Sequence, residues 1–216
     1  MELSDIFRIL RQRGWLILVL MALTAAAAFG FSRIQTPVYQ SNLKLLVLPS
    51  RTDFGQAQAA KALLSSYEQW LRSTYRAQAV INDLQLDMTA GELLGDVRVA
   101  SDANAFVIDL TVENTDPNLA NDIARSWGNQ LIQWQNANND KLQKEDRITI
   151  EFLDDPQAGL DRPDTKINTA AGAVFGLLLG VALLFLLEWL ASGVMRRSED
   201  VERYLNIAVI GTIPQE

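Results

Sequence analysis

The 216 residues carry 19 Lys and Arg against 26 Asp and Glu, a net charge of −7, with no Cys and no His. Disulfides, thiolate sites and imidazole ligands or bases are therefore excluded, and an acidic chain without a basic stripe excludes nucleic acid as a partner. A hydrophobic share of 49% is near normal, but it hides two concentrated apolar blocks.

Residues 1–14 read as an amphipathic helix on the cytosolic side. Leu3, Ile6, Phe7 and Leu10 fall at helical spacing, with Arg8 and Arg11 elsewhere on the wheel. Residues 15–31, WLILVLMALTAAAAFGF, carry no charge and show no polar face. As a helix they span roughly 25 Å, close to the ~30 Å hydrocarbon core of a bilayer. A buried core helix would need more surrounding chain than is present. A cleaved signal peptide is weighed against the acidic residues Glu2 and Asp5 and the helical start, which speak for a retained anchor. Ala22, Ala26 and Gly30 repeat every four residues, a small-residue stripe of the kind that lets membrane helices approach closely.

Residues 34–168 form the segment between the membrane helices, expected outside the cytoplasm. Val38–Leu48 is rich in aliphatic residues and ends at Pro49, which predicts a strand. Gln56–Arg72 is predicted helical, with Ala59, Leu63, Tyr67 and Trp70 on the buried face. Ser73 or Thr74 caps a second helix to about Leu86, burying Ala77, Val80, Ile81 and Leu84. Asp96–Ala100 and Phe106–Glu113 alternate as a hairpin with its turn at Asp102–Asn104. Asp116 caps a helix that begins at Pro117 and carries the stripe Leu119, Ile123, Trp127, Leu131 and Trp134. Trp127 and Trp134 are candidates for stacking on sugar rings, but their helical spacing favours core packing. A last strand, Arg147–Leu153, leads into a linker holding Pro156 and Pro163. The carboxylates Asp154, Asp155, Asp161 and Asp164 read as a solvated acidic linker in preference to a metal site, because no ligand-loop pattern accompanies them. The order β-α-α-β-β-α-β predicts an α+β fold, one sheet covered by helices.

The second membrane helix is placed at residues 169–191. Gly172, Gly176 and Gly180 repeat every four residues, a packing stripe whose partner is either the first helix or another subunit. Glu188 lies near its inner end, where a snorkelling or inter-helix polar contact is expected. In the cytosolic tail, 192–216, Arg196 and Arg197 mark the membrane exit, and Ser198 caps a short helix through Tyr204. Ile207, Val209, Ile210 and Ile213 follow as an apolar strip punctuated by Gly211 and Pro214, which suggests docking onto another protein. Outer-end arginines (Arg8, Arg11, Arg13, Arg196, Arg197, Arg203) outnumber the inner-flank cations (Arg33, Lys44, Arg162, Lys166), so both termini are expected in the cytoplasm. No catalytic constellation and no phosphate-loop pattern stands out, and the expectation is a chain without cofactor or metal that is not an enzyme.

Several stretches together resemble the polysaccharide co-polymerase family, the chain-length determinant or Wzz-type proteins. They are LSDIFRILRQRGWLI, VYQSNLKLLV, DPNLANDIARSWGNQL, DRPDTKIN and above all FLLEWLASGVMRRSEDVERYLNIAVIGTIP. The linker keeps Pro163 but lacks a neighbouring proline usual in that family. The resemblance implies a homo-oligomer in the bacterial plasma (inner) membrane. It would set the length or export of a capsular, exopolysaccharide or O-antigen-like polymer, beside a membrane polymerase and in contact with lipid and with the polysaccharide. It further implies, as in short stand-alone members, a tail that activates a cytosolic tyrosine kinase. A two-helix-anchored sensor or transporter accessory subunit is the alternative reading.

Overall fold

The structure, a computed structural model, describes residues 3–50 and 54–191. The chain divides into two compact units, one made of residues 36–163 and the other of the segments before and after them.

The flanking unit consists of two long helices, α1 (Leu3–Ile34) and α6 (Thr165–Ala191). The amphipathic start and the first apolar block are one continuous helix in α1. Within these helices, residues 11–34 and 165–190 are long and apolar enough to cross a membrane. Their apolar side chains are largely exposed, Leu23 and Phe31 at 68% and 67% for instance, as a lipid-facing surface would be.

The central unit is α+β. In chain order it holds β1 (Val38–Pro49), α2 (Phe54–Leu71), α3 (Thr74–Leu84), α4 (Ala90–Gly95), β2 (Val97–Asp102), β3 (Val107–Asn114), α5 (Pro117–Asn139), β4 (Ile148–Phe152) and β5 (Gln157–Arg162). Besides a 3-10 turn at Lys144–Asp146, the predicted order thus lacked two elements. One is α4, whose single turn and a half is set by a capping box between Thr89 and Glu92. The other is β5, which lies where a linker was expected.

All strand pairs are antiparallel, in the order β2-β3-β1-β4, with β5 beside β4 on the same flank of β1. The alternation along β1 sends Leu43, Leu45 and Val47 into the core and leaves Asn42 and Lys44 exposed. The helices α2, α3 and α5 close over the core face. The fully buried Trp127 of α5 anchors there, its indole Nε1 donating to the carbonyl of Leu71 at 3.0 Å. Asp116 caps α5 by accepting from the amide of Asn118 at 2.8 Å, and Pro117 occupies the first turn. Gly128 permits close approach of α5 to the sheet, since a Cβ there would lie 2.6 Å from Phe152 and 2.7 Å from Leu43.

On α2 the buried row is Ala60, Leu64, Tyr67 and Leu71, one residue on from the expected Ala59, Leu63 and Trp70. Trp70 instead sits half-buried against Trp134, ring centroids 5.2 Å apart, with the Arg76 guanidinium 3.9 Å from the Trp70 ring centroid.

Candidate functional site

Two regions hold the residues singled out by sequence. The first is the helix pair. Gly172, Gly176 and Gly180 form one seam of α6, and the seam lies against α1 of the same chain. A Cβ on Gly172 would come within 2.6 Å of the Ala28 methyl and 2.9 Å of the Thr24 carbonyl. On Gly176 it would meet the Thr24 hydroxyl and lie 2.8 Å from both the Leu20 carbonyl and the Met21 Cα. On Gly180 it would sit 2.9 Å from the Ile17 Cα. The α1 side of the seam is therefore Ile17, Leu20, Met21, Thr24 and Ala28. Ala22 and Ala26 are exposed, and a Cβ on Gly30 would meet nothing within 4 Å. Thr24 keeps its hydroxyl satisfied by donating back to Leu20 and Met21 carbonyls at 2.9 and 3.1 Å.

Polar contacts close both ends of this seam. At one end the Arg13 guanidinium lies 3.9 Å from the Glu188 carboxylate. Trp15 and Trp189 are exposed beside the pair, 61% and 71%, where an aromatic belt would meet the headgroups. At the other end the buried Ser32 hydroxyl donates to Thr165 Oγ1 at 3.4 Å and accepts from Asn168 Nδ2 at 3.1 Å. Apolar surface alone does not fix the register of two helices in lipid. Close-packed glycines and paired polar groups do, because each slip would unpair a polar group in a dry medium.

The second region is the sheet face opposite the helices. Along it Glu113 is held between Arg98, at 2.9 Å, and Arg162, while Lys44 lies 3.9 Å from Asp109. Burial, with Glu113 and then Glu92 nearby, holds the Asp96 carboxyl above its ordinary range. Of the two linker prolines, Pro156 is buried at the turn into β5, and Pro163 follows a cis peptide bond after Arg162. Trp127 is enclosed and unavailable to a ligand, and Trp134 packs edge-on to Tyr67, centroids 6.1 Å apart. Asp155 pairs with Arg125 at 3.9 Å, and among the described residues no group of His, Cys, Asp and Glu is placed to hold a metal. Arg196, Arg197, Tyr204, Ile207, Val209, Ile210, Gly211, Ile213 and Pro214 lie outside the described residues.

The sequence does not reveal β5, because QAGLDR carries no strand signal. The α1 half of the glycine seam was equally hidden, since Ile17, Met21 and Thr24 are not small.

Residues 1–84 match the family model of the chain length determinant proteins, Wzz. Over 98% of its length the chain is 27% identical to the probable capsular polysaccharide biosynthesis protein YwqC of Bacillus subtilis, covering 87% of that protein. It is 24% identical to the capsular polysaccharide biosynthesis protein CpsC of Streptococcus pneumoniae, covering 99% of this chain and 94% of that one. The CpsC of Streptococcus agalactiae shares 26% over 97% and 93% of the two chains. These matches bear out the Wzz-type resemblance read from the sequence, and with the two apolar helices they mark a membrane protein.

Proposed function

We propose that this chain is a membrane scaffold of the polysaccharide co-polymerase type, which sets the length or export of a capsular or related surface polysaccharide. The observation that carries the reading is similarity along nearly the whole chain to proteins named for capsular polysaccharide biosynthesis. The architecture supports it: one α+β unit flanked in the chain by two apolar helices suits a protein that positions a partner at a membrane. The scaffold works as a homo-oligomer beside a membrane polymerase in the bacterial inner membrane. Its tail, 192–216, activates a cytosolic tyrosine kinase.

Deleting the chain from the cells that make it and sizing their surface polysaccharide by gel electrophoresis tests the scaffold. A shifted length distribution or lost export is expected, and an unchanged polymer would reject the reading. Removing residues 206–216 tests the finer claim. Kinase pull-down and phosphorylation should be lost while oligomer size is kept. Unimpaired kinase activation would leave the scaffold role standing alone.

A further inference from the structure

The flank of β1 is shared by two strands that do not meet. β4 pairs with Leu45–Pro49 and β5 with Val38–Asn42, so the sheet has a notch at Leu43 and Lys44. There the amide of Leu153, just past β4, donates to the Lys44 carbonyl at 2.9 Å. Two adjoining grooves of about 410 and 320 Å³ open there, sharing Asn42 and Gln157. One extends over Lys44 and Asp154, the other over Gln40 and Gly159. Their joint size falls within the range of about 300–1,000 Å³ usual for small-ligand sites.

The lining is rich in unused hydrogen-bonding groups. Asn42 Oδ1 accepts from Gln40 and from Thr111, both at 3.2 Å, which leaves its amide nitrogen to donate elsewhere. The side chains of Gln157 and Asp154 bond to no other described residue, and Lys44 has only the 3.9 Å approach to Asp109. Gly159 stands opposite Gln40 and forms part of the floor. Its φ is not positive, and a Cβ added to it would meet nothing within 4 Å. The backbone does not demand glycine there, and the missing side chain keeps the groove open.

This donor and acceptor set selects a class of ligand. No aromatic ring lines either groove, so flat apolar molecules gain little. Arg125 lies 3.9 Å from Asp155 and Arg162 3.3 Å from Asp161, which leaves Asp154 with Lys44 in the lining, so the groove is close to neutral and offers a polyanion no cationic surface. Amide, ammonium and carboxylate groups on neighbouring strand rows suit adjacent hydroxyls along a neutral, chain-like molecule. We propose that this groove binds a short neutral pyranose segment of the polysaccharide, with Asn42, Lys44, Asp154 and Gln157 holding its hydroxyls. The assignment rests on the scaffold reading above and adds to it a defined place and a chemical class of segment for the contact with the polymer.

The test uses the full chain in lipid nanodiscs. The probe is the polysaccharide purified from the producing cells and cleaved to short oligosaccharides, with a hyaluronan hexasaccharide as the polyanionic comparison. Saturation-transfer NMR should show ring-proton contacts for the unchanged chain and for Gln133→Ala on the exposed side of α5. Affinity should fall about tenfold, the equivalent of two lost hydrogen bonds, in Asp154→Asn combined with Gln157→Ala. Gly159→Val should block the groove with the circular dichroism spectrum unchanged. Absence of contacts with the unchanged chain, undiminished binding in both groove variants, or preference for hyaluronan would overturn the proposal. Complementing the deleted cells separates the two levels. An unaltered polymer on deletion rejects the scaffold reading and the groove with it. An altered polymer that both groove variants restore fully, while binding as before, rejects the groove alone.

Discussion

At Gly176 an added methyl would collide with the backbone of α1 at Leu20 and Met21 as well as with the Thr24 side chain. A rotamer change cannot relieve backbone contact, so Gly176→Leu must push the helices apart. The loss is expected on the order of 1 kcal/mol in a membrane helix pair. Because the chain has no Cys, a pair introduced at Ile17 and Leu184, which pack together, reports the separation. Oxidative cross-linking between them should fall in Gly176→Leu and stay unchanged in Gly30→Ala, whose site is open. Equal cross-linking in both would show that the seam does not depend on Gly176. Tyr67 gives a second residue-scale expectation. Burial pushes its phenol up to about 12, while its hydroxyl donates to Gln135 at 3.0 Å. The neutral form is the one the fold holds, so its contribution is complete below pH 10, the unfolded value, and is lost as pH rises toward 12. Thermal melts of the unchanged chain should fall across that window. Tyr67→Phe should flatten this alkaline dependence while costing about 1 kcal/mol at neutral pH for the unpaired Gln135 oxygen. An identical alkaline slope in the variant would assign the dependence to other groups.

Among the elements, α5 was legible in full at its start because its signal is local: Asp116 caps, Pro117 leads and the apolar stripe follows. Asp116→Ala should therefore lower the stability of the central unit by about 1 kcal/mol, read from denaturant midpoints at constant slope. A change within error would mean that Pro117 and the packing of Ile123 suffice. β5 was illegible for the opposite reason. QAGLDR has no β-branched residue, a glycine, and almost no buried side chain, so neither propensity nor alternation marks it. It is a strand only because β1 offers it an unpaired edge, and that information lies far away in the chain. The same distance explains α2, where the apolar residues fit two adjacent rows and contact with the sheet selects Ala60 and Leu64 over Ala59 and Leu63. In the helix pair, the four-residue repeat made the glycines of α6 visible. Their counterpart on α1 was not, because glycine on one side lets a helix approach residues as large as Ile17 and Met21 on the other. The groove combined both difficulties: its polar lining reads as ordinary surface until β5 is in place.

For the molecule as a whole, the proposed function requires the central unit and the tail to face opposite sides of the membrane. Arginines dominate the outer ends of the two apolar helices, and such cations are retained on the cytoplasmic side. The exposed Trp15 and Trp189 beside Arg13 and Glu188 supply the aromatic boundary expected at that end. We therefore expect both termini in the cytoplasm and residues 34–168 outside. The absence of cysteine makes this testable with single labels. Asp140 is exposed at the end of α5, so Asp140→Cys disturbs no core contact. In intact cells a membrane-impermeant maleimide should label Cys at position 140. The same reagent should label Val209→Cys in the tail only after the membrane is permeabilised. The reverse pattern would invert the chain and remove a cytosolic kinase from reach of the tail. Labelling of both sites in intact cells would mean that the two apolar helices do not both span, and the scaffold would have to be reconsidered as a single-pass protein.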